Sequence, residues 1–247
     1  MTTLFGSTRS VVTAQYALIS PAGFVSAPIP GWSAAESVAV LAPAIGARFA
    51  QLLITLGPQS QGQGQGDDRE RLVFVLDGAI AATVGGEQRR LVSGGYAYLP
   101  PRLPFEIGAA DPNARLLIFE RRYVALPGVE PPAPLFGDEH QVTGAPFMGD
   151  EAALLKNLLP DTPAFDMAVN IFTFQPGATL PIVETHIMEH GLLMIQGQGI
   201  YRLAADWHPV QAGDVIWMAP YCPQWFVATG KTPARYIYYK DVNRDPL

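Results

Sequence analysis

LLMIQGQGIYRL, residues 192–203, is the stretch on which the fold turns. Two β-rich runs flank the turn glycines Gly197 and Gly199. LVFVLDGAIAATV, residues 72–84, repeats it, with Gly78 standing 119 positions before Gly197. The same offset lays SGGYAYLPPRLPF (93–105) over AGDVIWMAPYCPQ (212–224), pairing Gly94 with Gly213, Pro101 with Pro220 and Pro104 with Pro223. Shared punctuation in one register reads as two copies of one unit. Working outward, further short β-rich runs at 49–56, 97–99, 116–122, 167–174, 215–218 and 235–239 sit between Gly or Pro turn signals. That spacing suits a sandwich or barrel.

The expected fold is therefore all-β: two β-barrel or jelly-roll domains in tandem, residues 1–136 and 137–247. The Pro-rich stretch PGVEPPAP (127–134) is the natural linker, stiffened because proline fixes its own dihedral. DEAALLKNLL (150–159) has acidic residues in its first turn and Pro160 at its end, which predicts one short linking helix. The tract QSQGQGQGDDRE (59–70) reads as a flexible polar loop.

Composition narrows the function classes. Only 15% of the 247 residues are charged, against about 25% in ordinary globular domains. Much of the surface is accordingly expected to face the other copy or another subunit, and a homo-oligomer is expected. A net charge of -6, with no basic run, argues against a nucleic-acid partner. No apolar run approaches the roughly 20 residues that span a bilayer, and the opening residues lack the apolar core of a signal peptide. The single cysteine, Cys222, has no internal disulfide partner, which fits a reducing compartment. A soluble cytoplasmic protein is the expectation.

Chemistry is concentrated in the second copy. Glu184, His186 and His190 lie within seven residues, and Gln224 follows the second Gly-to-Pro stretch. On a strand, residues two apart share a face, so the first three can point inward together. A carboxylate, two imidazoles and an amide oxygen suit a divalent cation such as Mn, Fe or Ni, and the lack of thiolates argues against a zinc cage. His186 to His190 also fits H-x-x-E-H, a peptidase pattern that needs a helix, but Pro181 upstream and Gly191 downstream oppose one. On the last strand Tyr236, Tyr238 and Lys240 alternate onto one face. His140, His208 and Cys222 are assigned no role at the site. In the first copy the offset puts Asp67, Arg71 and Phe105 opposite His186, His190 and Gln224, and residues 1–139 contain no histidine. That copy is expected to have lost the metal site and to serve as scaffold.

The frame Gly177, Glu184, His186, His190, Gly197, then Gly213, Pro220 and Gln224, resembles the cupin signature with its ligands permuted. Glu184 stands for the usual first histidine and His190 for the usual glutamate. The permuted set is similar to that of the (S)-ureidoglycine aminohydrolase family, two-cupin manganese enzymes of purine and allantoin breakdown. The likeness extends to residues 8–32 and to the close from Arg235, and so covers nearly the whole chain.

The resemblance implies that Glu184, His186, His190 and Gln224 hold Mn2+ or another divalent ion. It also implies that Tyr201, Tyr236 and Lys240, with Gln224, contact the substrate, and that (S)-ureidoglycine is hydrolysed to (S)-ureidoglycolate and ammonia. Glu184 and Lys240 are the expected catalytic pair. The alternatives are another metal-dependent cupin enzyme, an oxygenase or isomerase, or a cupin that binds a small molecule without turning it over.

Overall fold

The computed structural model describes residues 7–245; the first residues of the opening segment and the last two of the closing one lie outside the described residues. The chain first forms β1 (Val11–Val12), β2 (Tyr16–Ile19), β3 (Trp32–Leu41), β4 (Ala50–Gln65) and β5 (Arg69–Asp77). β6 (Ala79–Val84), β7 (Glu87–Val92), β8 (Gly95–Leu99), β9 (Pro104–Ala109) and β10 (Ala114–Arg122) follow. Residues 127–134 contribute no strand. Then come β11 (Leu135–Asp138), β12 (Ala145–Phe147), β13 (Asp150–Asn157), β14 (Met167–Phe174) and β15 (His190–Gln196). The chain closes with β16 (Gln198–Leu203), β17 (Asp206–Gln211), β18 (Val215–Met218), β19 (Gln224–Thr229) and β20 (Ala234–Asp241).

The repeat register holds at the level of strands. β6 and β7 fall 119 residues before β16 and β17, and Gly78 and Gly197, which connect β5 to β6 and β15 to β16, share a φ of +74°. A left-handed φ favours glycine. The two Gly positions therefore make the same turn in both halves.

Two large sheets organise the molecule. One contains β3 to β11, and the other runs β1-β2-β18-β15-β20-β14-β13-β12, with β17-β16-β19 forming a separate three-stranded layer. The halves trade strands across the predicted linker. β2, early in the chain, pairs with β18 of the second half, and β11, after the linker, pairs with β8 of the first. Sheet membership is thus interleaved rather than divided at residue 136.

Strands at the centre of both sheets are buried on both faces. Along β5, Leu72 and Phe74 join the core between the halves while Val73 and Val75 fill the first half's own core. Along β15, Leu193 faces the shared core, while Leu192 and Met194 line the second half's interior. Period-two alternation with apolar residues on both sides is what a sandwiched strand requires. It accounts for the low charge content without invoking an exposed apolar surface.

Three expectations are corrected. Residues 150–157 form β13 rather than a helix, paired with β14 from Ala153↔Phe174 to Asn157↔Asn170. Among the described residues the helical segments are short 3-10 turns. Helix propensity is a weak prior, and here the ladder to β14, together with Lys156 bonded to the Glu139 carboxylate at 2.9 Å, overrides it. Residues 59–65 belong to β4, not a loop. Gly62 and Gly64 leave room for the rings of Trp32 and Phe105, so alternate Gln and Gly serve as one polar and one ring-accepting face. Glu184 to Glu189 is not a continuous strand: it touches the sheet only at the Glu184↔Gln224 bridge before β15 begins at His190. Among the described residues no helix is long and apolar enough to cross a membrane.

Candidate metal and substrate site

A cavity of about 230 Å³ opens in the second half, between the large sheet and the three-stranded layer. Glu184, His186, His190 and Gln224 line it, as do Tyr201, Tyr236 and Lys240. Each arrives by a different local route. The bridge at Glu184↔Gln224, with backbone bonds of 2.9 Å in both directions, ties the irregular loop to the start of β19. The carbonyl of His186 accepts from the Tyr221 amide at 2.7 Å, which anchors the next turn of that loop. His190 opens β15 directly opposite Lys240 on β20. Tyr236, Tyr238 and Lys240 share a parity on β20 and line the same cavity.

The imidazoles converge. His190 Nε2 lies 3.1 Å from His186 Nε2, and the Gln224 side-chain amide lies 3.1 Å from that same His186 nitrogen. His190 Nδ1 is 3.3 Å from the Tyr239 carbonyl, which can only accept; Nδ1 therefore carries the proton and Nε2 presents a lone pair to its neighbour. The two ends of an amide are interchangeable by a flip, so Gln224 can offer its oxygen to the same point. Two imidazole nitrogens and an amide facing one another, with His186 Nδ1 buried and without a hydrogen-bond partner, make a donor set that fits a cation. Among the described residues no three His, Cys, Asp or Glu side chains stand together as a cluster of their own. Glu184 shares the cavity wall and is joined to Gln224 through backbone.

Burial sets the electrostatics. It pushes His190 down to about 3, helped by the charges of His186 and Lys240, and pushes His186 down as well. Both imidazoles are neutral at pH 7, the form that ligates a metal. Burial raises the Glu184 carboxyl, opposed by nearby Lys240, and holds the Tyr201, Tyr236 and Tyr238 phenols well above their ordinary range. The rings of Tyr201 and Tyr236 lie 6.1 Å apart between centroids, and the Tyr238 hydroxyl accepts from the Asn170 amide at 3.1 Å.

The remaining sequence candidates lie elsewhere. His140 sits in a 3-10 turn, and His208 lies on β17 with its ring against Tyr16. Cys222 is buried beneath the loop and bonds weakly to Pro223. Glu189 of the H-x-x-E-H pattern has its carboxylate held by Arg48 and Trp217. Sequence reasoning missed the apolar wall of Phe147, Leu155 and Phe172, and the support that Asn170 gives Tyr238. The parity of β14, where Asn170 and Phe172 sit opposite Tyr238 and Tyr236, was the available signal for two of them.

In the first half the residues at the equivalent positions bond to one another. Arg71 donates to Glu120 at 2.6 Å and to both oxygens of Asp67 at 3.0 and 2.7 Å, and its guanidinium lies 5.1 Å from the centre of the Phe105 ring.

Comparison with known proteins gives concordant results. A cupin domain model matches residues 170–239, the stretch holding every candidate ligand. (S)-Ureidoglycine aminohydrolase of Arabidopsis thaliana is 42% identical over 245 residues, covering 98% of this chain and 80% of that protein. The Escherichia coli K12 protein of that name is 36% identical over 236 residues, covering 94% of this chain and 90% of that one. The crystal structure of protein Ylba from E. coli superposes with a TM-score of 0.86 at 32% identity, covering 98% of this chain and 97% of that chain.

Proposed function

The chain belongs to the (S)-ureidoglycine aminohydrolase family, and from that premise we propose that it hydrolyses (S)-ureidoglycine to (S)-ureidoglycolate and ammonia in purine and allantoin catabolism. The observation that carries the reading is the convergence of two neutral imidazoles, an amide, a carboxyl, three phenols and an ammonium on one 230 Å³ cavity. Glu184, His186, His190 and Gln224 are the residues that would hold a divalent ion, Mn2+ in this proposal. When bound, such an ion supplies a Lewis acid and a template for substrate oxygens.

The chain's own groups account for the rest. Lys240 offers a cation to the substrate carboxylate, and the hydroxyl pair of Tyr201 and Tyr236, kept protonated by burial, offers hydrogen bonds to the carboxylate or ureido oxygen. Glu184, whose burial raises its proton affinity, can take a proton from the attacking water and return one to the departing ammonia. Phe147, Leu155 and Phe172 wall off solvent, which strengthens each of these polar interactions.

In sequence the polypeptide reads as a tandem of two cupins, residues 1–136 and 137–247, which exchange β2 and β11, the first serving as scaffold. The single cysteine supports a cytoplasmic protein, and the sparse charge and the family likeness support a homo-oligomer, one that engages neither nucleic acid nor membrane. Metal analysis of the purified protein, followed by ammonia release from freshly made ureidoglycine, tests the assignment. Stoichiometric manganese with ammonia release is expected. A protein that neither carries a divalent metal nor releases ammonia overturns it, and light scattering that gives a monomer overturns the oligomer.

A further inference from the structure

The first half reaches into the second through one side chain. Arg48, just before β4, donates through its backbone N to both oxygens of the Glu189 carboxylate at 3.0 and 3.1 Å and through Nε at 3.2 Å. Its terminal nitrogen donates to Asp241 at 2.6 Å. Asp241 in turn accepts from the Glu189 backbone N at 2.7 Å, and Trp217 donates to Glu189 at 3.2 Å. Glu189 precedes His190 and Asp241 follows Lys240, and His190 and Lys240 are register partners on β15 and β20. One guanidinium thus bridges the two strand ends that carry a candidate ligand and the candidate substrate cation.

The first half contains the counterpart with its charges exchanged. Glu70 and Tyr98 stand 119 residues before Glu189 and Trp217, and the Tyr98 hydroxyl donates to Glu70 at 2.6 Å. Where the second cluster has Arg48 reaching across, the first has Asp166, 3.6 Å from Arg121 and accepting from Val124 N at 2.7 Å. Where the second has Asp241 on the last strand, the first has Arg121, which donates to the Tyr239 hydroxyl at 3.0 Å. Both clusters fasten the halves together. Only the one built on Arg48 abuts the cavity.

We infer that Arg48 is a positioning residue for the second half's site: it sets the separation of His190 and Lys240 by clamping Glu189 and Asp241. The inference rests on the site reading above, and it makes the first half a working part of that site as well as a scaffold. Partners behind ligating histidines typically change metal affinity or activity by about 10–100-fold.

The test compares Arg48→Gln, Arg48→Lys and Asp166→Asn in the full chain, by thermal melting, manganese titration, kcat and KM for ammonia release, and the imidazole nitrogen shifts of His186 and His190. Arg48→Gln and Asp166→Asn are both expected to lower Tm. Only Arg48→Gln is expected to weaken manganese binding and lower kcat by about tenfold or more, with KM less affected, and to move the imidazole shifts. Arg48→Lys keeps the cation without the two-pronged fork, so it should regain Tm without regaining metal affinity.

Wild-type metal binding, kcat and imidazole shifts in Arg48→Gln overturn the inference, as does an equal loss in Asp166→Asn. Should Arg48→Gln fail to fold, wild-type metal affinity and shifts in Arg48→Lys overturn it. If the wild type releases no ammonia, the substrate reading fails, while the manganese titration and imidazole shifts still decide the role of Arg48.

Discussion

Position for position, the two halves put the same strands around the same space and fill it with opposite chemistry. In the second half, neutral imidazoles of His186 and His190 and the Gln224 amide face a cavity. In the first, Asp67, Arg71, Glu120 and the Phe105 ring occupy the equivalent place and satisfy one another. There the carboxylates are already tied to guanidinium donors, whereas the imidazole nitrogens face one another. The fold therefore supplies a location, and the identity of three or four side chains decides whether it becomes a site.

The largest contrast should come from His190→Ala set against Arg71→Ala. The first should reduce ammonia release by about 100-fold or more and abolish metal retention, since it removes a candidate ligand itself. The second should leave kcat within about twofold while lowering stability by about 2 kcal/mol, because Glu120 and Asp67 lose a partly buried partner. Steady-state assays and denaturant melts check both, and a catalytic defect in Arg71→Ala would break the contrast.

Next in size is the pinning of the exchanged strand β11. Burial raises the Glu139 carboxyl, but Arg235 at 2.7 Å and Lys156 at 2.9 Å outweigh it and hold the group below the usual range. A depressed carboxylate contributes stability above its unfolded pKa of about 4.3 and loses it as pH falls through the folded value. Glu139→Gln should cost about 2 kcal/mol at pH 7 and progressively less in acid, flattening the acid limb of the melting curve. An undiminished loss at pH 3 would contradict the pairing.

Tyr236→Phe tests the substrate side. Its position on β10 is held by Leu116, an ordinary core residue. Losing one hydroxyl that bonds a charged substrate should lower kcat/KM about tenfold with little change in Tm. Unchanged kinetics would remove Tyr236 from the site. The smallest difference is at the hinge glycines. A Cβ at Gly197 would come 2.6 Å from the Pro233 carbonyl, whereas at Gly78 the nearest atom is 3.0 Å away. Gly197→Ala should therefore cost more than Gly78→Ala, for which left-handed strain of about 1–2 kcal/mol is expected.

Most of the strand pattern was legible because alternation and turn glycines are local, and the 119-residue register tied the two halves together before any coordinates. The convergence of the candidate residues on one cavity was legible for the same reason: Glu184, His186 and His190 are close in sequence, and Tyr236 and Lys240 share a strand face. The helix at 150–159 failed because DEAALLKN has helical composition, yet it forms β13 against β14. Local propensity is worth tenths of a kcal/mol per residue and cannot outbid a complete ladder.

By itself, then, the sequence determined the all-β class, the 119-residue register between the two halves and the family. Only the tertiary structure decided that β2 and β11 cross to the opposite half, that Glu184 reaches the cavity through a single bridge, and that Arg48 meets Glu189 from 141 residues away. Strand exchange and ion pairing at that distance depend on which sheet edges and charges the folded chain brings together, and no local pattern encodes that choice.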